Sequence, residues 1–284
     1  MPIIDLHCHT TASDGLVSPA DLVRHAADRG VDVIAITDHD TVAGVAEGLR
    51  TAAEVSVRVL PGIEMSTRHD SRDVHILGYF VDHTSSELLT ELDGMRMQRE
   101  QRAERIIERL RELGYEITDA DVREQAAGAV IARPHVARAL VAKGLLPSVR
   151  SAFTSDLIGD GGRAYVSRDV PSSIEAIEMI RRAGGVAVVA HPGVGHHEGE
   201  VKPMSSEAIG ELAEAGLVGL EVDHPDHPPL IRDRLNAIAH EHGLVVTGGS
   251  DWHGLEHTIG GWTTTAESLE CLEALARGGA TAGG

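Results

Sequence analysis

Histidine is the residue that stands out chemically in this sequence, with 17 among 284 positions, and most of the argument rests on where they fall. His7 and His9 stand at i and i+2 behind an apolar run, so an extended backbone turns both imidazoles to one face. Alone, such a pair is a weak signal. Five further apolar segments carry acids or imidazoles at their ends. One ends in Thr37-Asp38-His39-Asp40, one reaches Glu64 through Pro61-Gly62-Ile63, and one begins at Asp73-Val74-His75. The run over 186–190 ends in His191-Pro192-Gly193, and the run over 244–247 leads to Ser250-Asp251-Trp252-His253. Imidazole mixed with carboxylate is the ligand set of hydrolytic zinc, manganese or iron sites.

Such a set works only if the segment ends meet. Short β-branched runs predict strands over 2–6, 31–37, 57–60, 74–81, 186–190, 218–222 and 244–247. Helical patterns lie between them, over 41–55, 173–183, 205–215, 229–242 and 266–277, and one follows the cap Ser18-Pro19-Ala20-Asp21. Apolar strands with short connections and glycine stops imply parallel βα units, and this many imply an α/β barrel, closed or nearly so. The ends of parallel barrel strands ring one mouth, which is the convergence the ligands need.

The rhythm breaks over 85–167. A long charged helix is expected over 85–113, a capping box opens at Thr118-Asp119-Ala120-Asp121, and a further helix is expected over 134–143. The barrel is therefore assigned to residues 1–84 and 168–284, with 85–167 a helical insertion. It is expected to cap the site, since insertions of barrels gather where ligands bind; the alternative is a peripheral ornament.

Composition narrows the function. Asp and Glu total 44 against 25 Lys and Arg, a net charge of −19 that opposes a non-specific grip on nucleic acid. Aromatics at 2% leave no base-stacking platform. Two cysteines are too few for a disulfide framework. Residues 1–5 do not read as a signal peptide and no apolar run approaches a membrane span, so a soluble cytoplasmic protein is expected.

The segments HCHTTASDG, TDHD and AHPG, the isolated Glu64 and His75, and SDWH resemble, in order and spacing, the motifs of the PHP (polymerase and histidinol phosphatase) family. The resemblance runs from residue 3 to about 253. It implies a distorted (β/α)7 barrel with two or three divalent metal ions. It also implies the ligands His7, His9, Asp14, His39, Glu64, His75, His191, Asp251 and His253. In the family pattern His7, His9, Glu64 and Asp251 hold one ion. Glu64 bridges to a second held with His75 and His191, and Asp14, His39 and His253 hold a third. Manganese is expected, with iron or zinc also accepted by such ligands.

Arg133-Pro134-His135 in the insertion resembles the branch acting on nucleoside 3′,5′-bisphosphates and short RNA. The expected activity is hydrolysis of the 3′-phosphate of such a bisphosphate by a metal-bound hydroxide. The alternatives are 5′-to-3′ trimming of short RNA, histidinol phosphatase, and a metal-binding module without turnover. The partner is then a small phosphorylated nucleotide or short oligoribonucleotide, with no membrane and no stable nucleic-acid complex. Three divalent ions against the carboxylates Asp14, Glu64 and Asp251 leave a pocket of about +3, suited to phosphate. Arg133 and His135, at a helix start, are expected to bind phosphate. His135, His196 and a metal-bound water are the candidates to protonate the leaving alkoxide, and Asp251 is counted with the catalytic groups.

Other residues receive plainer readings. Cys8, between two ligands, is expected to be buried and inert. Asp5 and Asp38 are expected to accept from the far nitrogens of metal-bound imidazoles. His25 and His242 are read as solvated. His224 and His227 follow a strand and could approach the mouth, or belong to an ordinary polar loop.

Overall fold

The computed structural model describes the chain except residues 71, 129–130, 160, 168, 195–202, 255–256 and 280–284. It separates into two compact units, Met1–Thr90 with Val170–Gly284, and Glu91–Asp169.

The first unit is a seven-stranded sheet whose spatial order follows the chain. Strands β1 (Ile4–Cys8) and β2 (Val33–Ile36) flank helix α1 (Pro19–Asp28), and α2 (Val45–Ala52) leads to β3 (Arg58–His69). Strand β4 (Arg72–Tyr79) follows directly. After the second unit come α6 (Ser173–Arg182), β5 (Val186–Val189), α7 (Ser206–Glu214), β6 (Gly219–Asp223), α8 (Pro229–Glu241), β7 (Val245–Gly248) and α9 (Ala266–Gly279). A parallel bridge between Cys8 and Trp252 brings the last segment against the first, so the sheet is a nearly closed barrel. No helix among the described residues is long and apolar enough to cross a membrane.

Two expectations need correction. The strand expected over 57–60 continues to His69, and β4 runs antiparallel to both β3 and β5. The cause is the connection. Only residues 70 and 71 separate β3 from β4, whereas a parallel return needs a dozen or more. Asp70 takes a left-handed φ of 54° in that turn. The polar residues of β3 belong to this hairpin, which pairs Gly62 with Tyr79 through to His69 with Arg72. The helix expected over 41–55 starts only at Val45, because residues 38–44 form the turn that carries His39.

Apolar strand residues Ile4, Leu6, Val33, Leu77 and Val188 cluster with Leu269 and Leu272 of α9. Helices press closely onto the sheet elsewhere. A Cβ on Gly48 of α2 would stand 2.2 Å from the Cδ1 of Ile36 in β2, so a larger residue there would have to displace the tip of that side chain. Helix starts follow local rules: Ser18 caps α1 through the Asp21 amide, and Ser172 and Glu175 form a reciprocal box on α6.

The second unit holds α3 from residue 91 onward (the whole helix is Ser86–Glu112), α4 (Asp119–Ala126) and α5 (Arg133–Ala142). Ile106, Leu110, Val122, Val136, Leu140 and Ile158 make its own apolar core. Thr118 and Asp121 form the capping box of α4, and Lys143 reaches the same Asp121 carboxylate at 3.0 Å.

Candidate metal centre

Strand ends, the loops after them and the β3–β4 hairpin bring the ligand-type residues together. His7 and His9 are fully buried at the end of β1. Their Nε2 atoms lie 3.3 and 3.2 Å from Glu64 Oε2, and 3.3 and 3.1 Å from Asp251 Oδ1. His39, after β2, sets its Nδ1 3.0 Å from the same Glu64 Oε2. The antiparallel hairpin supplies His75. It pairs with Ser66, two residues along from Glu64 on the same face, and its Nδ1 meets Glu64 Oε1 at 2.8 Å. His191, just past β5, meets that oxygen at 3.1 Å. Glu64 is thus the hub of five imidazoles.

Asp14 gathers a second set. Its carboxylate stands 3.3 Å from His253 Nε2, 3.9 Å from His9 Nδ1 and 4.0 Å from His39 Nε2. Three groups consequently have ligand atoms all within 4.8 Å of one another: His7, His9, Glu64 and Asp251; His39, Glu64 and His75; and His9, Asp14, His39 and His253. His39 lies in two of these groups, and His191 joins the centre through Glu64.

The donor set fits divalent ions. His7 Nε2, both nitrogens of His9, His39 Nδ1 and Glu64 Oε2 are buried without a hydrogen-bond partner among the described residues. Buried polar atoms of this kind are costly unless something binds them, and a cation does. Burial raises the carboxyls of Glu64, Asp14 and Asp251, but the neighbouring histidines outweigh it and hold all three well below the usual range. For His9 burial acts downward, yet Asp251 and Glu64 push it up to about 10. A cation entering there must displace a proton, so its binding releases protons.

Backbone strain marks the same place. His191 and Asp251 adopt left-handed φ values of 29° and 49°, rare for residues with a Cβ. Neighbouring contacts enforce them. Glu221 of β6, fully buried, accepts from the His191 amide at 2.8 Å through Oε2 and from His7 Nδ1 at 2.9 Å through Oε1. That leaves the lone pair of His7 on Nε2, facing Glu64 and Asp251. His253 Nδ1 donates to the Asp251 carbonyl at 2.8 Å with the same result. Gly249 permits the close seam between β7 and β1, since a Cβ there would stand 2.3 Å from that of His7.

Glu221 escaped the sequence reading. The available signal was a lone acid inside the apolar run over 218–222. As a further buried carboxylate beside His7, it lowers the positive charge that divalent ions would bring to the pocket. Asp5 and Asp38 do hold the site, but through amides and hydroxyls rather than imidazole. Asp5 accepts from the amides of Ser250 and Gly260, and Asp38 from the amide and hydroxyl of Thr10 and the hydroxyl of Ser13. They fix the loops that carry Asp251 and Asp14. His25 is half-buried and stacked 5.2 Å from Trp252, and His242 Nε2 lies 2.9 Å from the Ser206 hydroxyl, so neither is simply solvated. Cys8 is a buried free thiol, as expected.

Arg133 and His135 belong to the helical unit. Arg133 lies over the rings of Phe153 and Tyr165, 5.8 and 5.7 Å from their centroids. His135 is buried, and its Nδ1 accepts from the Ala132 amide at 2.9 Å, capping the start of α5. His196, named above for proton transfer, lies outside the described residues.

The sequence matches the PHP domain over residues 5–115. It is 34% identical over 272 residues to a 5′-3′ exoribonuclease of Haemophilus influenzae, covering 95% of this chain and 96% of the relative. It is 33% identical to a 3′,5′-nucleoside bisphosphate phosphatase of Chromobacterium violaceum, covering 89% and 88% respectively. A solved structure from Bifidobacterium adolescentis, assigned as a metal-dependent phosphoesterase, superposes with a TM-score of 0.88 at 35% identity over 95% of both chains.

Proposed function

The chain belongs to the PHP family and is a metal-dependent hydrolase of phosphate esters, and on that premise we propose that it removes the 3′-phosphate of nucleoside 3′,5′-bisphosphates. The observation that carries the reading is the convergence on Glu64 of buried imidazole and carboxylate groups, several of whose atoms have no hydrogen-bond partner among the described residues. His7, His9, Glu64 and Asp251 would hold one ion, Glu64, His75 and His191 a second, and Asp14, His39 and His253 a third, with manganese the expected metal. Bound there, divalent ions supply charge for phosphoryl oxygens and water acidic enough to attack near neutral pH.

The protein's own part is to keep these groups ready. Glu221 and the Asp251 carbonyl hold the imidazoles of His7 and His253 with Nε2 facing the carboxylates. Asp5 and Asp38 hold the loops, so little reorganisation is needed when an anionic substrate arrives. The helical unit is proposed as the cap and Arg133 as a phosphate contact, supported by the resemblance of Arg133-Pro134-His135 to the nucleotide-directed branch.

Trimming of short RNA from its 5′ end is the second reading. It is favoured by the exoribonuclease relative, which matches this chain over nearly its whole length. The two reactions cleave the same bond type, a phosphate ester at a 3′ oxygen beside a 5′-phosphate.

The test is phosphate release from adenosine 3′,5′-bisphosphate by manganese-loaded protein, with His191→Ala in parallel. Release that the variant loses supports the proposal. No release above the variant sinks it and leaves 5′-phosphorylated short RNA as the substrate to try.

A further inference from the structure

Two histidines in the loop after β6 look alike in sequence and differ in what their nitrogens do. His224 and His227 are both 1% exposed. His227 has both ring nitrogens engaged. Its Nδ1 donates to the Val222 carbonyl at 2.9 Å, and its Nε2 accepts from the Gly193 amide at 3.0 Å. It staples the end of β6 to the loop that carries His191.

His224 has one ring nitrogen hydrogen-bonded among the described residues. Its Nδ1 accepts from the Asp226 amide at 3.1 Å. An amide N–H can only donate, so this nitrogen carries no proton, and the neutral ring holds its proton on Nε2. Nε2 is buried without a hydrogen-bond partner among the described residues, and lies 3.6 Å from Asp251 Oδ2. The ring lines a cavity of about 200 Å³ together with His39, Glu64, His75, His191 and Asp251. A nitrogen bearing a proton has no lone pair for a cation, so His224 is not a further metal ligand.

A neutral donor suits a cavity built for cations and an anion, because it attracts the anion without repelling the metal. We propose that His224 is a substrate-binding residue whose Nε2–H donates a hydrogen bond to a non-bridging oxygen of the phosphoryl group. This rests on the phosphate-ester reading above.

The test measures binding of inorganic phosphate to manganese-loaded protein by calorimetry, with manganese content determined on the same samples. His224→Ala should weaken phosphate binding by roughly tenfold or more while keeping the full metal content, a loss expected for a hydrogen bond to a charged group. His224→Gln, which places an amide donor near the same point, should recover part of it. Unchanged phosphate affinity in His224→Ala overturns the proposal. So does loss of manganese, which would make the ring a support for Asp251.

Should the variants fail to fold, nitrogen-15 spectra of zinc-loaded wild type decide instead. The proposal expects the proton on Nε2 and a shift of that nitrogen on adding phosphate. A proton on Nδ1, or no shift, overturns it. Phosphate binding needs no turnover, so an inactive enzyme in the bisphosphate assay would count against the substrate reading alone.

Discussion

The helical unit pairs many of its polar side chains with one another, whereas the barrel mouth gathers imidazoles and carboxylates around one glutamate and leaves several of their atoms without a hydrogen-bond partner among the described residues. Asp121 takes the Thr118 hydroxyl and amide and Lys143, Arg123 pairs with Asp119, and His135 caps its own helix. The mouth buries five ligand-type atoms without a hydrogen-bond partner among the described residues and holds His191 and Asp251 in left-handed backbone. Both arrangements sit beside well-packed apolar clusters, so poor packing is not the cause. The difference separates groups that stabilise a fold by themselves from groups arranged for something that must be bound. The second kind is tolerated because the barrel around it over-determines the geometry.

The comparison breaks most clearly at its centre. Glu64→Gln keeps the shape of the hub and removes its charge. It should cut activity at least about a thousandfold and lower metal content, read by steady-state kinetics and metal analysis. Activity within tenfold of wild type would mean that Glu64 is not the bridge.

Glu221→Ala frees His7 and His191 without removing a ligand. Metal affinity should fall by about 10- to 100-fold, seen in competition with a chelator. Unaltered affinity would show that the strained loop holds itself.

In the helical unit, Arg133→Ala should raise KM by roughly tenfold, as loss of a guanidinium–phosphate contact does, with metal content unchanged. Unchanged kinetics would return Arg133 to its stacking role on Phe153 and Tyr165.

The smallest effect belongs to the capping box. The Thr118 side chain, then Lys143, hold the Asp121 carboxyl down at about 2. This is below the value of about 3.9 for an unfolded Asp, so the contribution is present above roughly pH 4 and is lost as pH falls through about 2. The difference in Tm between wild type and Thr118→Ala should therefore shrink between pH 4 and 2. A constant difference would mean that the hydroxyl acts without the carboxylate.

What was legible in the sequence divides along the same line. Local signals worked: Ser18, Thr118 and Ser172 mark helix starts, and His7, His9, His39 and Asp251 stand at or just past strand ends, where a barrel needs its chemistry. Signals that depend on a distant partner did not. The reach of β3 to His69 depends on pairing with β4, and nothing in Met65-Ser66-Thr67-Arg68 alone announces a strand. Glu221 looks like a misplaced acid until His7, 214 residues away, is set against it. Asp5 and Asp38 were correctly suspected but wrongly paired, because a carboxylate near a histidine in sequence has several amides within equal reach. What separates His224 from His227 is the set of groups around each ring, which sequence does not give.

The seam between Cys8 and Trp252 also governs when the centre comes into being. The Glu64-centred group needs His7 and Asp251, so its ligands are drawn from almost the whole chain. A nascent chain on the ribosome cannot assemble it until the last strand has emerged, and contacts of such long separation are slow to form. That group therefore cannot act as an early folding nucleus, unlike His39, Glu64 and His75, which all emerge within the first 75 residues. Its ion would arrive as a late clasp on a finished barrel, and until then His7 and His9 wait in an incomplete structure.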